Sequence, residues 1–164
     1  MTDVTGGTFD HSVLSDNHKG YGGGFCAWYS EELYVTNFIV AYNDIVSGTY
    51  GGMGGGIYLL TSGATFNNGL VVGNSAAGGG MGFGGGACVE SSGVEMRNTS
   101  FLDNRARGSG GIFIYSSYFN AQNIAVVRNA ALSQVGSAGG IDCGLGQMVL
   151  YNAVVAENEA ITDG

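Results

Sequence analysis

Gly55–Asn74 reads GGIYLLTSGATFNNGLVVGN. It opens on a glycine pair, runs through short alternations of apolar and polar residues to Asn68, and closes on Asn74. The same grammar recurs along the chain. One Asn falls thirteen residues after the first glycine and a second falls nineteen after it. Gly55 leads to Asn68 and Asn74, Gly85 to Asn98 and Asn104, Gly110 to Asn123 and Asn129, and Gly139 to Asn152 and Asn158. Gly23 leads to Asn37 and Asn43 one residue late, so that copy carries a single insertion. A repeat of fixed spacing and this size marks a solenoid, in which a copy buries its apolar face only against its neighbours.

Within a copy the apolar residues recur with period two, as in Ile57-Tyr58-Leu59-Leu60, and the runs are broken by Gly and Asn. That pattern means short strands and tight turns rather than helices. Three strands per coil are expected: a GGϕxϕ segment (ϕ, apolar), a ϕxϕxN segment ending at the inner Asn, and a ϕxxN segment ending at the outer Asn. Stacked in parallel at ~4.8 Å, like residues lie over like. The expected core ladders are Phe25/Ile57/Ala87/Ile112/Ile141, Leu33/Ala64/Val94/Phe119/Met148 and Leu14/Val40/Val71/Phe101/Val126/Val155. The fold class is therefore all-β, a parallel β-helix of about five full coils plus a partial N-terminal one, taken as one domain over residues 1–164.

The corners follow from turn chemistry. Asn tolerates left-handed backbone and its amide can bond backbone or the Asn above, so Asn37, Asn68, Asn98, Asn123 and Asn152, and likewise Asn43, Asn74, Asn104, Asn129 and Asn158, are expected as structural ladders. A Ser column (Ser30, Ser62, Ser92, Ser117) marks another turn, and the Gly pairs serve a corner that needs positive φ or close approach. Between an outer Asn and the next Gly pair lie 5, 11, 10, 5 and 9 residues, so the variable loops all project from one edge.

This GGϕ and ϕxxN grammar resembles the GGA[ILV] and FxxN repeats of polymorphic outer-membrane proteins and related autotransporter-type passengers. The first motif stands here as Gly55-Gly56-Ile57, Gly85-Gly86-Ala87, Gly110-Gly111-Ile112 and Gly139-Gly140-Ile141; the second stands literally as Phe101-Leu102-Asp103-Asn104 and elsewhere with Val or Leu for Phe. The resemblance covers nearly the whole chain. It implies a right-handed coil of the pectate-lyase-like kind, display at the cell surface, and adhesion. The chain departs from such proteins in having no Pro, no recognisable signal peptide and no membrane-barrel segment.

Composition narrows the partners. Thirty-two Gly that are clustered rather than every third residue, with no Pro, exclude collagen, and 45% hydrophobic with 11% charged residues argues against disorder. A net charge of −8 disfavours nucleic acid and anionic membrane surfaces. No 18-residue apolar run is present, so no membrane insertion is expected. The N-terminus has no signal-peptide pattern: either the chain is not exported by that route or the segment lies outside it. Cys26, Cys88 and Cys143 lack metal-type spacing. Cys26 and Cys88 share an outward column two coils apart, too far for a disulfide within the chain, which leaves free thiols or an intermolecular pair; Cys143 is expected to point inward.

Outward positions of the first strand form a stripe that includes Trp28, Tyr58, Phe113 and Tyr115. Either it is an exposed aromatic binding surface or the variable loops fold over it. Those loops carry Tyr50, Met53, Met81 and Phe83 as further candidate contacts. Asp10, His11, Asp16 and His18 offer acid–base or ligand chemistry, but His11 holds an inner-Asn place and Asp16 the place before Asn17, so turn roles are expected. The outward column Asp16, Tyr42, Gly73, Asp103, Arg128, Glu157 never stacks two carboxylates in adjacent coils, as a Ca²⁺-assisted polysaccharide lyase would want. Glu90 and Glu95 with Arg97 are the remaining candidates for such an enzyme. The expected function is a non-enzymatic surface or extracellular module, without cofactor or metal, that serves adhesion to a protein or glycan, or assembly by end-to-end stacking. The alternative is a polysaccharide lyase or hydrolase.

Overall fold

A computed structural model describes residues 5–18, 21–46, 52–78, 80–133 and 138–161. Among them there are sixteen strands and no helix, and every strand pair is parallel. The chain is a β-solenoid of about five turns. Three sheets run along it. The first stacks β3 (Phe25–Trp28), β5 (Ile57–Leu60), β8 (Ala87–Glu90), β11 (Ile112–Tyr115) and β14 (Ile141–Gly144). The second stacks β1 (Thr5–Asp10), β4 (Glu31–Ala41), β6 (Gly63–Val72), β9 (Gly93–Leu102), β12 (Tyr118–Val127) and β15 (Gln147–Ala156), with β2 (Val13–Ser15) also on β4. The third is narrow: β7 (Ser75–Ala76), β10 (Arg105–Ala106), β13 (Ala130–Ala131) and β16 (Glu159–Ala160).

The expected core columns are the observed ladders. Ile57 pairs with Ala87 and Ala87 with Ile112; Val94 pairs with Phe119; Val71 pairs with Phe101. A fully buried ring such as Phe101 or Phe119 contributes on the order of 1.5–3 kcal/mol, and the four coils from Phe25 to Val126 repeat such burial; on the last coil Ile141 is half-buried, and Met148 and Val155, expected in the core, are exposed. Ile45, Ala76 and Ala106 form a second, small cluster under the third sheet.

The four coils from β5 to β16 carry three strands each, as expected, but the chain is divided among them differently. The second and third segments run as one strand of 10 or 11 residues, bent at the inner Asn. The bend is a single left-handed residue: φ is 51° at Asn37, 57° at Asn68, 50° at Asn98, 54° at Asn123 and 49° at Asn152. One residue turns the chain without interrupting the parallel ladder on either side, so Thr36 pairs with Asn67 and Phe38 with Gly69 across the bend. The third sheet comes from the two residues after the outer Asn, the second of which is always Ala.

The outer corner also corrects a detail. Positive φ falls on the residue before each outer Asn, at Asp16, Tyr42, Gly73, Asp103, Arg128 and Glu157. The Asn side chain is thereby turned inward, and Asn43, Asn74, Asn104 and Asn129 are wholly buried. Similarly, at Gly54 and Gly84 positive φ precedes the glycine pair. The pair itself answers close approach: a Cβ on Gly56 would meet the Gly86 carbonyl and the Asn74 amide.

The Ser corner behaves as expected. Ser62 N–H donates to Ser92 Oγ (2.9 Å), while Ser92 Oγ–H donates to the Glu90 carbonyl (2.7 Å). Among the described residues no buried side-chain polar atom lacks a partner.

Candidate functional site

The aromatic stripe lies on the outer face of the first sheet, where Cys26, Tyr58, Cys88, Phe113 and Asp142 share a register. Its middle is covered. Tyr58 is 5% exposed and Cys88 is fully buried. Met53 and Phe83, from the loops that follow Asn43 and Asn74, pair in a bridge and lie over this face. Met53 Sδ sits 3.9 Å from the Cys88 thiol, and Phe83 stacks on Phe113 at 4.6 Å between centroids. Tyr21 packs over Tyr58. Loop cover therefore wins at the centre of the stripe, while Trp28 (39%) and Tyr115 (41%) stay exposed at its two ends. Phe113 is half-buried, parallel to Tyr115. Of the loop candidates, Met81 is exposed, Met53 and Phe83 are half-buried, and Tyr50 lies outside the described residues.

Tyr58 O–H donates to Glu90 Oε2 at 2.7 Å. Burial, reinforced by that carboxylate, raises the phenol's pKa far above its usual range. Burial likewise pushes the Cys88 thiol well up, with the Glu90 charge adding to it. These groups stay neutral and act as packing. Cys26 is exposed, and desolvation raises its thiol too, partly offset by a hydrogen bond with Trp28. Among the described residues all three cysteines are free. Cys88 is closed to any partner chain, which corrects its candidacy for an intermolecular bond. Cys143 sits in the inward column of Ile114, as expected, but is exposed on the last coil.

At the N-terminal end of the first sheet an apolar notch of about 400 Å³ is lined by Phe9, Phe25, Cys26, Trp28 and Leu33. Among the described residues the partial coil contributes strands to the second sheet and none to the first, which leaves the notch uncovered.

The second sheet presents a different face. Tyr34, Thr65, Glu95 and Asn120 share one outward column, and Thr36, Asn67, Arg97, Gln122 and Tyr151 the next. Two shallow cavities lie on it. One, of about 270 Å³, is lined by Glu95, Arg97, Asn120, Gln122 and Tyr151; the other, of about 250 Å³, by Glu32, Tyr34, Gly63, Thr65, Gly93 and Glu95. Glu95 and Arg97 form an ion pair at 3.1 Å. Glu90 is engaged by Tyr58 on the first sheet, so the two carboxylates do not converge. Sequence reasoning singled out Glu95 and Arg97 on this face but not Tyr34, Asn120, Gln122 or Tyr151, whose residue types follow no repeat.

The N-terminal cluster is structural. Asp10 Oδ1 accepts from Thr36 Oγ1 (2.6 Å) and Asn37 Nδ2 (2.9 Å), and Oδ2 faces His11 Nδ1 at 2.8 Å. Those donors, Thr36 foremost, hold its carboxyl far below the usual range. His11 has positive φ opposite Asn37, as the repeat requires. Asp103 and Arg128 form a bidentate pair (2.8 Å each), which lowers the acid's pKa and raises the base's. Among the described residues no three His, Cys, Asp or Glu side chains gather to hold a metal. Comparison with protein-family models, with curated proteins and with solved structures finds no match.

Proposed function

We propose that this chain is a non-enzymatic binding module of the cell surface or extracellular space, adhering through side chains displayed on the flanks of its coil. The observation that carries this reading is the exposure of Trp28 and Tyr115 on a rigid sheet whose intervening residues are covered by their own loops. Rigid aromatic groups give contact area at small entropic cost, which suits both protein and sugar ligands. The likeness of the repeat to outer-membrane and autotransporter-type passengers supports display at a surface. The separation of Glu90 from Glu95 favours binding over polysaccharide cleavage.

The test is retention of purified chain on immobilised mucin, extracellular-matrix proteins and cell-surface glycans, with Trp28→Ala and Tyr115→Ala as variants. Retention that falls at least tenfold in both variants supports the reading. A new ultraviolet-absorbing unsaturated product from an acidic polysaccharide replaces it with a lyase. Light scattering over a concentration series separates a lateral binder from a protein that assembles along its coil axis.

A further inference from the structure

Gly63 and Gly93 stand side by side in the second sheet, in register with each other and with Tyr118. Neither has positive φ. A Cβ on Gly93 would meet nothing within 4 Å, and one on Gly63 would meet only the Glu32 backbone nitrogen at 3.8 Å. Geometry does not require glycine at either place, and glycine inside a strand costs stability. Among the described residues most other glycines answer a positive φ or a crowded neighbour, Gly144 beside the Tyr115 ring excepted; Gly63 and Gly93 leave bare backbone on an outer face. A strand glycine without a structural cause marks close approach by a ligand or another backbone.

What surrounds the bare patch has a consistent chemistry. Tyr34 and Tyr118, 50% and 47% exposed, border it, and Tyr151, 60% exposed, stands farther along the same face in the Arg97 column. Between them lie planar polar groups: the Glu95–Arg97 pair, Asn120 and Gln122. Aromatic faces with fixed planar donors and acceptors are what sugar rings and hydroxyls engage. Two carboxylates (Glu32, Glu95) against one guanidinium (Arg97) repel an anionic glycan. The face lacks the apolar centre that a protein partner would bury.

We infer that the outer face of the second sheet, floored by Gly63 and Gly93, is a binding groove for a neutral oligosaccharide lying along the coil axis. This rests on the reading of the chain as a binding module and names its ligand class. The two cavities meet at Glu95, one reaching back to Glu32 and the other on to Tyr151, so a chain of several rings spans both.

The test is a titration of ¹⁵N-labelled chain with cellohexaose, xylohexaose and mannohexaose, followed by amide chemical shifts. A hyaluronan hexasaccharide and hexalysine serve as anionic and peptide comparisons. The expected result is a saturable shift of the Gly63 and Gly93 amides with a neutral sugar, and at least tenfold weaker binding by Gly93→Val with no fall in thermal stability. Shifts confined to the Trp28 or Tyr115 region, unchanged affinity in Gly93→Val, or a response to hexalysine or hyaluronan alone would each overturn the groove. So would silence towards all three neutral sugars at millimolar concentration. In every such case Trp28→Ala and Tyr115→Ala in the retention assay still judge the adhesive reading separately.

Discussion

Asn74 gives both its backbone N–H and its side-chain Nδ2–H to the Oδ1 of Asn104, each at 3.0 Å. The second Nδ2 hydrogen of Asn74 goes to the Val40 carbonyl at 2.9 Å, and Asn74 Oδ1 in turn accepts from Asn43. The pattern continues from Asn17 to Asn158, with the links from Asn43 to Asn129 wholly buried. Removing one link strands several partners at once. Asn104→Ala leaves the Asn74 donors and the Val71 carbonyl unmet at a site with no solvent exposure. At ~1–3 kcal/mol per unsatisfied buried group, the loss exceeds about 3 kcal/mol, a large part of a typical domain's stability. Asn98→Gly, in the exposed inner ladder, keeps the left-handed bend and lets water replace the amide, so its cost stays within about 0.5 kcal/mol. Urea unfolding of both variants checks this; equal losses would sink the distinction between the ladders.

Acid sensitivity should be traceable to Asp10. Its folded pKa lies below the ordinary value because Thr36, Asn37 and His11 all donate to the carboxylate. A depressed folded pKa contributes stability that is fully present above the unfolded value of 3.8 and is lost as pH falls through the folded one. Asp103, paired with Arg128, acts in the same direction. The urea midpoint of the native chain therefore drops as pH falls below about 4, and Asp10→Asn flattens that slope. An unchanged slope in Asp10→Asn would show that the acid limb belongs to other carboxylates.

The repeat spacing made the coils, their number and the inward ladders legible, because each depends on residue type at a fixed interval. Ile57 over Ala87 over Ile112 needed no structure to place. The left-handed residue before each outer Asn was not legible. Asp16, Tyr42, Gly73, Asp103, Arg128 and Glu157 share no chemistry, since the buried Asn ladder imposes their backbone and their own side chains do not. Cover over Tyr58 was half legible: loops of 11 and 10 residues on adjacent coils have the matched length that lets them stack, but residue types alone do not say which way they lie. Gly63 and Gly93 follow Ser62 and Ser92 and read as turn glycines; only the empty space beside them separates the two cases.

Thiol reactivity should divide the cysteines. Cys26 and Cys143 are exposed, whereas Cys88 lies beneath Met53 with its pKa raised by burial. The thiolate is the reacting form, so a buried thiol with a raised pKa is inert. A thiol-reactive disulfide reagent is expected to modify two cysteines in the native chain and the third only in denaturant. Cys88→Ser should leave the native count at two, and Cys26→Ser should lower it to one. Rapid native modification of Cys88 would mean that the loop over the stripe opens readily.

The last expectation concerns two glycines that look alike in sequence. Phe38 is buried and its ring lies over Gly69 of the next coil, in the place a Cβ would take. Gly69→Ala must push that ring off its packing against Phe66, whose centroid is 5.5 Å away. Overpacking of this kind costs about 1–3 kcal/mol. Gly93→Ala meets nothing and keeps an allowed backbone, so restricting the unfolded chain stabilises it by about 0.4–1 kcal/mol. Phe38→Leu should restore part of what Gly69→Ala loses, because the smaller side chain vacates the contested space. Thermal unfolding of the four chains reads all of this. Equal and opposite shifts at Gly69 and Gly93 are not required, but a stabilising Gly69→Ala would refute the ring-over-glycine account. A destabilising Gly93→Ala would show that the bare patch has a structural cause after all.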